Sequence, residues 1–194
     1  MNRFFFSLFA FSVLTLLSCN SPYTVKPKGY PRIVFPAHAY RVFDDPSYPY
    51  TFEYPVYAEV LRDTTFFSDE DTPYWINIDF PALNGKIYMS YKSVGRTSLN
   101  QLVDDAYKMT YKHSQKATSI RDSVMRTAGG VSGVWFDVGG NVATSKQFFV
   151  TDSTRHFLRG ALYFDASPNS DSLGIVYEFL QEDMKHLINT LRWK

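Results

Sequence analysis

Tyr74-Trp75-Ile76-Asn77-Ile78-Asp79-Phe80, answered after a turn by Lys86-Ile87-Tyr88-Met89-Ser90-Tyr91, is the stretch that decides the fold. Its alternation puts Tyr74, Ile76, Ile78 and Phe80 on one face and Asn77 and Asp79 on the other, as in a half-buried strand. Pro81 to Gly85, ending in Asn84-Gly85, is turn chemistry. The return strand carries Ile87, Met89 and Tyr91 inward. This predicts an antiparallel hairpin.

Downstream, Thr97 or Ser98 caps a helix to about Lys112, with Leu99, Leu102, Val103, Ala106, Met109 and Thr110 on one face. Asp104 and Asp105 precede Lys108 and Lys112, the order that suits the helix dipole. Ala117 to Arg126 reads as a strand with Ile120 and Val124 as its apolar positions. Gly129-Gly130 turns the chain into a strand with Val134, Phe136 and Val138 on one face, and Gly139-Gly140-Asn141 turns it again. Lys146–Thr151 and Arg155–Phe164 are two more strands joined around Asp152-Ser153. In the second, Leu158, Leu162 and Phe164 oppose Arg155, Arg159 and Tyr163. Asp171 or Ser172 caps a last helix whose stripe is Leu173, Val176, Leu180, Met184, Leu187 and Leu191. The expected fold is α+β: an antiparallel sheet of about five to seven strands packed by two main helices. The layout resembles the sandwich of the PsbP and Mog1-type proteins, a likeness that says little about function.

Working back to the start, Arg3 precedes an apolar run from Phe4 to Leu17, too short for a span of about 20 apolar residues. Leu16-Leu17-Ser18-Cys19 looks like a bacterial lipobox, so residues 1–18 read as a lipoprotein signal cut before a lipidated Cys19. Asn20 to Pro31 is rich in Pro, Gly and Lys and reads as an extended tether, so 19–31 link the lipid to one domain over 32–194. The lack of an acidic cluster after Cys19 favours a domain facing the periplasm, and the expected location is the outer membrane rather than the inner.

The formal net charge is +1, and cutting the signal removes Arg3, so the mature chain is about neutral. Such a balance argues against nucleic acid as a partner chosen by charge. Cys19 is the single cysteine, which excludes a disulfide framework and thiolate chemistry in the domain.

Between Arg32 and Tyr57, short apolar pieces are punctuated by Pro36, Pro46, Pro49 and Pro55, which predicts edge strands or irregular segments, not central strands. Aromatics crowd here, Tyr48, Tyr50, Tyr54 and Tyr57 among them. Exposed, they would be a partner surface; turned inward, they would be a coil wrapping the core, since rings bury large apolar area. Arg62 to Thr72 is acidic and polar, a loop.

Catalytic signatures are weak. Gly130-Val131-Ser132-Gly133-Val134 approaches a nucleophile elbow but has Val134 where the second glycine belongs. His38, His113, His156 and His186 show no ligand spacing, and phosphate and dinucleotide loops are missing. The expectation is a non-enzyme without cofactor or metal. An enzyme would need a pocket that brings His113, His156 or His186 onto a carboxylate. Separately, Asp-Ser or Asp-Thr motifs make Thr64, Ser123, Ser153 and Ser172 candidate O-glycan acceptors, although Asp-Ser is also ordinary cap and turn chemistry.

Longer strings carry a family resemblance. Lys26 to Ile33, Phe52 to Pro55, Ser90 to Lys92, Tyr111 to His113, Gln147 to Gly160 and the Asp171 to Lys194 tail resemble the GldD gliding motility lipoproteins of Bacteroidetes. The resemblance implies an envelope lipoprotein required for gliding, a movement tied to type IX secretion. It brings no catalytic residue and no cofactor, and only Cys19 transfers as a defined position. Two functions follow as expectations. The first is an accessory or scaffold protein docking on other gliding or type IX secretion lipoproteins or complex components. The alternative is a peptidoglycan-binding module using the Tyr30–Tyr57 aromatics.

Overall fold

The computed structural model describes Gly29, residues 32–63 and residues 74–194. Cys19, Tyr30, Thr64 and nearly all of the expected tether and acidic loop lie outside the described residues. The compact unit runs from Val34 to Lys194.

Among the described residues this unit holds ten strands and two main helices: β1 (Tyr40–Phe43), β2 (Tyr50–Pro55), β3 (Glu59–Arg62), β4 (Ile76–Phe80), β5 (Gly85–Ser93), α1 (Leu99–Tyr111), β6 (Ala117–Arg126), β7 (Ser132–Gly140), β8 (Lys146–Thr151), β9 (His156–Phe164), α2 (Ser170–Thr190) and β10 (Arg192–Trp193). Seven form one sheet in the order β3-β4-β5-β9-β8-β7-β6, and β1-β2-β10 form a second. Every neighbouring pair is antiparallel. The α+β expectation holds.

The β4–β5 hairpin forms as its alternation dictates, with Ile78 opposite Ile87 and Ile76 opposite Met89. A short 3-10 turn over Pro81–Leu83 and a left-handed Asn84 (φ 48°) close it. Ile76, Ile78, Phe80, Ile87 and Met89 are each buried, and they pack with Leu158, Leu162, Phe148 and Trp135 against Val176, Leu180, Met184 and Leu187 of α2. Burying each such side chain is worth about 1.5–3 kcal/mol, so the α2 stripe is a principal source of stability. The opposite sheet face carries a smaller core, where Val134, Phe136, Phe149 and Phe157 meet Leu102 and Ala106 of α1.

Four sequence expectations are corrected. β2 lies between β1 and β10 and is therefore a central strand. Its prolines do no harm because Pro46 and Pro49 precede it and Pro55 ends it. Met109 is exposed, at the edge of the α1 stripe, while Leu102, Ala106 and Thr110 are buried. In β6, Val124 is 85% exposed, because β6 is the sheet's outer strand and α1 does not reach over it. The cap of α2 is Asn169, whose side chain accepts from the Asp171 backbone N–H, so the helix starts ahead of Asp171 and Ser172. At α1 the cap is Ser98, accepting from the Gln101 N–H.

Candidate functional site

Because α1 covers only the β7-β8-β9 half of its sheet face, no helix among the described residues covers the β4-β5-β9 half. The strand registers map the floor of this open half. Ser90 lies opposite Arg159, Tyr88 opposite Ala161, and Lys86 opposite Tyr163 on β5 and β9. On the β4 side, Asn77 lies opposite Tyr88 and Asp79 opposite Lys86. Ser90 and Ala161 are small, and between larger neighbours they leave a depression. The result is a groove of about 1080 Å³, walled by Trp75, Met109 and the β4–β5 turn at Pro81 and Asn84.

Arg159 is the chemical centre of this groove. Its Nη2 donates to Gln147 Oε1 at 2.6 Å, and the same oxygen accepts from Thr110 Oγ1 at 3.2 Å. Burial pulls the guanidinium below its ordinary value, and the Tyr163 hydroxyl opposes that pull. Burial likewise lowers His113, with the charge of Arg159 adding to it. Tyr88 is 44% exposed and meets Tyr163 edge-on at 5.5 Å. Lys86 Nζ stands 5.9 Å from the Tyr88 ring. Sequence reasoning placed Arg159 and Tyr163 on one face of β9. The groove itself was hidden, since which half of a sheet a helix covers depends on long-range packing.

The aromatic segment does not form the surface expected of it. Tyr50 is fully buried and Tyr54 is 9% exposed. Tyr48 and Tyr57 are half-buried, packed against the main core. These rings therefore close the end of the sandwich. Of the partner or peptidoglycan surface expected on Tyr48, Tyr50, Tyr54 and Tyr57, Tyr50 and Tyr54 are withdrawn into the core, while Tyr48 and Tyr57 keep part of their rings exposed. The physical reason is the β1–β2 hairpin: its alternation turns Tyr50, Phe52 and Tyr54 inward together.

A buried polar knot lies beside it. Asp183 of α2 is 1% exposed, and it accepts hydrogen bonds from Tyr40 Oη at 3.0 Å and from Tyr57 Oη. His38 Nδ1 lies 2.7 Å from the same carboxylate. Burial first, and then the Asp183 charge, push Tyr40 up to about 12. One turn on, His186 Nε2 lies 2.6 Å from Glu53, with its ring stacked on Tyr40 at 3.6 Å. His38 and His186 thus meet carboxylates, but neither lines the groove. His156 is buried, with Nδ1 bonded to the Tyr91 hydroxyl at 2.7 Å. Ser132 opens β7 and is no nucleophile elbow. Among the described residues, no group of His, Cys, Asp and Glu is arranged to hold a metal ion.

Of the candidate glycan acceptors, Ser123 is exposed on β6, and Ser153 is exposed in the β8–β9 turn at φ 67°. Ser172 is half-buried in the first turn of α2, its hydroxyl 3.4 Å from the Asn169 carbonyl. Among the described residues no helix is long and apolar enough to cross a membrane.

Comparison with known proteins gives two findings. The solution structure of cyanobacterial PsbP from Synechocystis sp. PCC 6803 is similar over 87% of this chain and 100% of that chain, with a TM-score of 0.51 and 12% identity. At that identity the likeness concerns the fold alone, and it agrees with the sandwich layout. No curated protein matches the chain. The family model described as gliding motility lipoprotein GldD matches residues 20–193. With the match spanning the sheet, both helices and the groove, the chain belongs to the GldD gliding motility lipoprotein family.

Proposed function

We propose that this lipoprotein is a non-enzymatic accessory component of the gliding and type IX secretion apparatus. In this reading, lipid on Cys19 anchors it in the outer membrane, and residues 32–194 face the periplasm, where they dock an extended segment of another protein of that apparatus. The observation that carries the reading is β6. It is ten residues long, exposed along most of its length and, among the described residues, one of the two edge strands of the seven-stranded sheet. Native proteins blunt such edges with proline, bulges or short length, because unpaired N–H and C=O groups recruit another strand. Here the irregularity is confined to Ala117–Ser119, which leaves Ile120–Arg126 in regular pairing with β7. Val124 offers apolar contact, and Arg121 and Arg126 guard against indiscriminate pairing. Addition of a strand from a partner is a familiar recognition mode.

A photo-crosslinking residue at position 124 of the full-length protein, expressed in its own envelope, tests this. Crosslinks to a gliding or secretion protein, lost when Cys19→Ala removes the anchor, are expected. An absence of protein crosslinks at 124, with the protein correctly anchored, would overturn the docking surface.

A further inference from the structure

Among the described residues, Arg159 of the groove has no carboxylate partner. Its hydrogen bond goes to an uncharged amide, that of Gln147, and among the described residues it enters no ion pair. A guanidinium drawn out of water without a carboxylate is costly, and such a position is retained where an anion completes it. The three acidic side chains of the groove, Asp63, Asp79 and Asp165, stand elsewhere, Asp165 just past the end of β9 and six residues on from Arg159. Asp79 faces Lys86 in the Tyr163 row, four residues along β9 from Arg159, or roughly 13 Å by strand rise. Asp63 continues β3 past the Arg62–Ile76 pair, three strand spacings from β9, or roughly 14 Å. Lys86 stands in that same Tyr163 row, opposite Asp79, so those two charges answer each other at a distance from Arg159.

The rest of the lining is suited to a ring that carries hydroxyls. Tyr88 and Tyr163 present aromatic surface beside the Arg159 row, and the small Ser90 and Ala161 leave space above the sheet between them. Asp79 and Asn84 supply acceptors and donors at the turn end. Polar groups converging on a concavity of this size, with aromatic rings in its wall, suit a small polar ligand. We propose that this groove binds a carboxylate-bearing saccharide, with Arg159 pairing with the carboxylate and the Tyr88–Tyr163 pair packing on the sugar ring. Arg–carboxylate pairing is bidentate and directional, so the guanidinium fixes the sugar's orientation as well as its charge. The site lies at the far side of the sheet order from β6, and it stands or falls independently of the docking edge.

The test is calorimetric titration of the full chain in detergent with N-acetylmuramic acid, N-acetylglucosamine and inorganic phosphate. N-Acetylmuramic acid is expected to bind at least tenfold more tightly than N-acetylglucosamine. Arg159→Gln should lose that preference, and exposed Tyr88→Ala should weaken both sugars while leaving the thermal melt in place. Equal binding of the two sugars, or unchanged binding in both variants, would overturn the proposal. Binding of phosphate alone, indifferent to Tyr88→Ala, would also overturn it and mark a simple anion site.

Discussion

His38 and Asp183 are 145 residues apart in sequence and are joined by a 2.7 Å contact between Nδ1 and Oδ1. His38 Nε2 also lies 3.1 Å from Glu182. The segment that leads into β1 is thereby fastened to the last helix. Phe35 and His38 stack in turn on Phe179, at 4.3 and 4.5 Å.

Removing the acceptor strands three donors at once. Asp183→Ala should cost about 3 kcal/mol, because His38, Tyr40 and Tyr57 lose the group that satisfies them. For a chain of this length that corresponds to a fall of roughly 6–12 °C in Tm. Thermal denaturation checks it. A melt within a degree or so of the parent would show that the knot contributes little.

Acid should weaken the protein in two steps. Burial holds the His156 imidazole below its ordinary 6.5, so the unfolded chain takes up that proton first. Stability from this source is complete above about pH 6.5 and declines as pH falls. Burial works against the Asp152 carboxylate, but the backbone N–H groups of Arg155, His156 and Thr154 outweigh it and lower the group to about 2. That contribution is complete above the ordinary 3.8 and is lost as pH falls through about 2. Urea midpoints at pH 7.5, 5.5 and 2.5 should fall in that order. His156→Gln should flatten the first step and Asp152→Asn the second.

Gly133 tests the packing of the sheet. It belongs in sequence to the Gly130–Val134 stretch that approaches a nucleophile elbow, yet it lies in β7, where a Cβ would press on the Phe149 carbonyl of β8. Backbone cannot swing aside as a side chain can. Gly133→Ala should therefore destabilise by about 1–3 kcal/mol, read as a lowered urea midpoint.

Anchoring has a direct check. Cys19→Ala should leave an unprocessed or soluble chain, and the lipid mass should be missing from the intact mass spectrum. Two or more acyl chains hold stably where one does not, so wild-type protein should stay with membranes through a salt wash.

Periodicity made the hairpin, both helices and the β6–β9 meander legible, because each buries one face and so writes its pattern locally. The β1–β2 hairpin was illegible for the opposite reason. Its prolines argued against a central strand, and only β10, arriving from the far end of the chain, makes β2 one. Asp183 was equally hidden. In sequence it is one more charge among Glu178, Glu182 and Lys185, and its burial depends on His38 and two tyrosines more than a hundred residues away. The groove follows from where α1 stops, which no local pattern records.

The exposed edge of β6 carries the central claim, and gliding itself is the readout. Cells whose only copy carries Val124→Lys should make, process and anchor the protein at wild-type levels yet glide poorly or not at all, whereas Val124→Thr, which keeps the strand, should glide. Normal gliding by the Val124→Lys strain would contradict the account and take the docking surface off this edge.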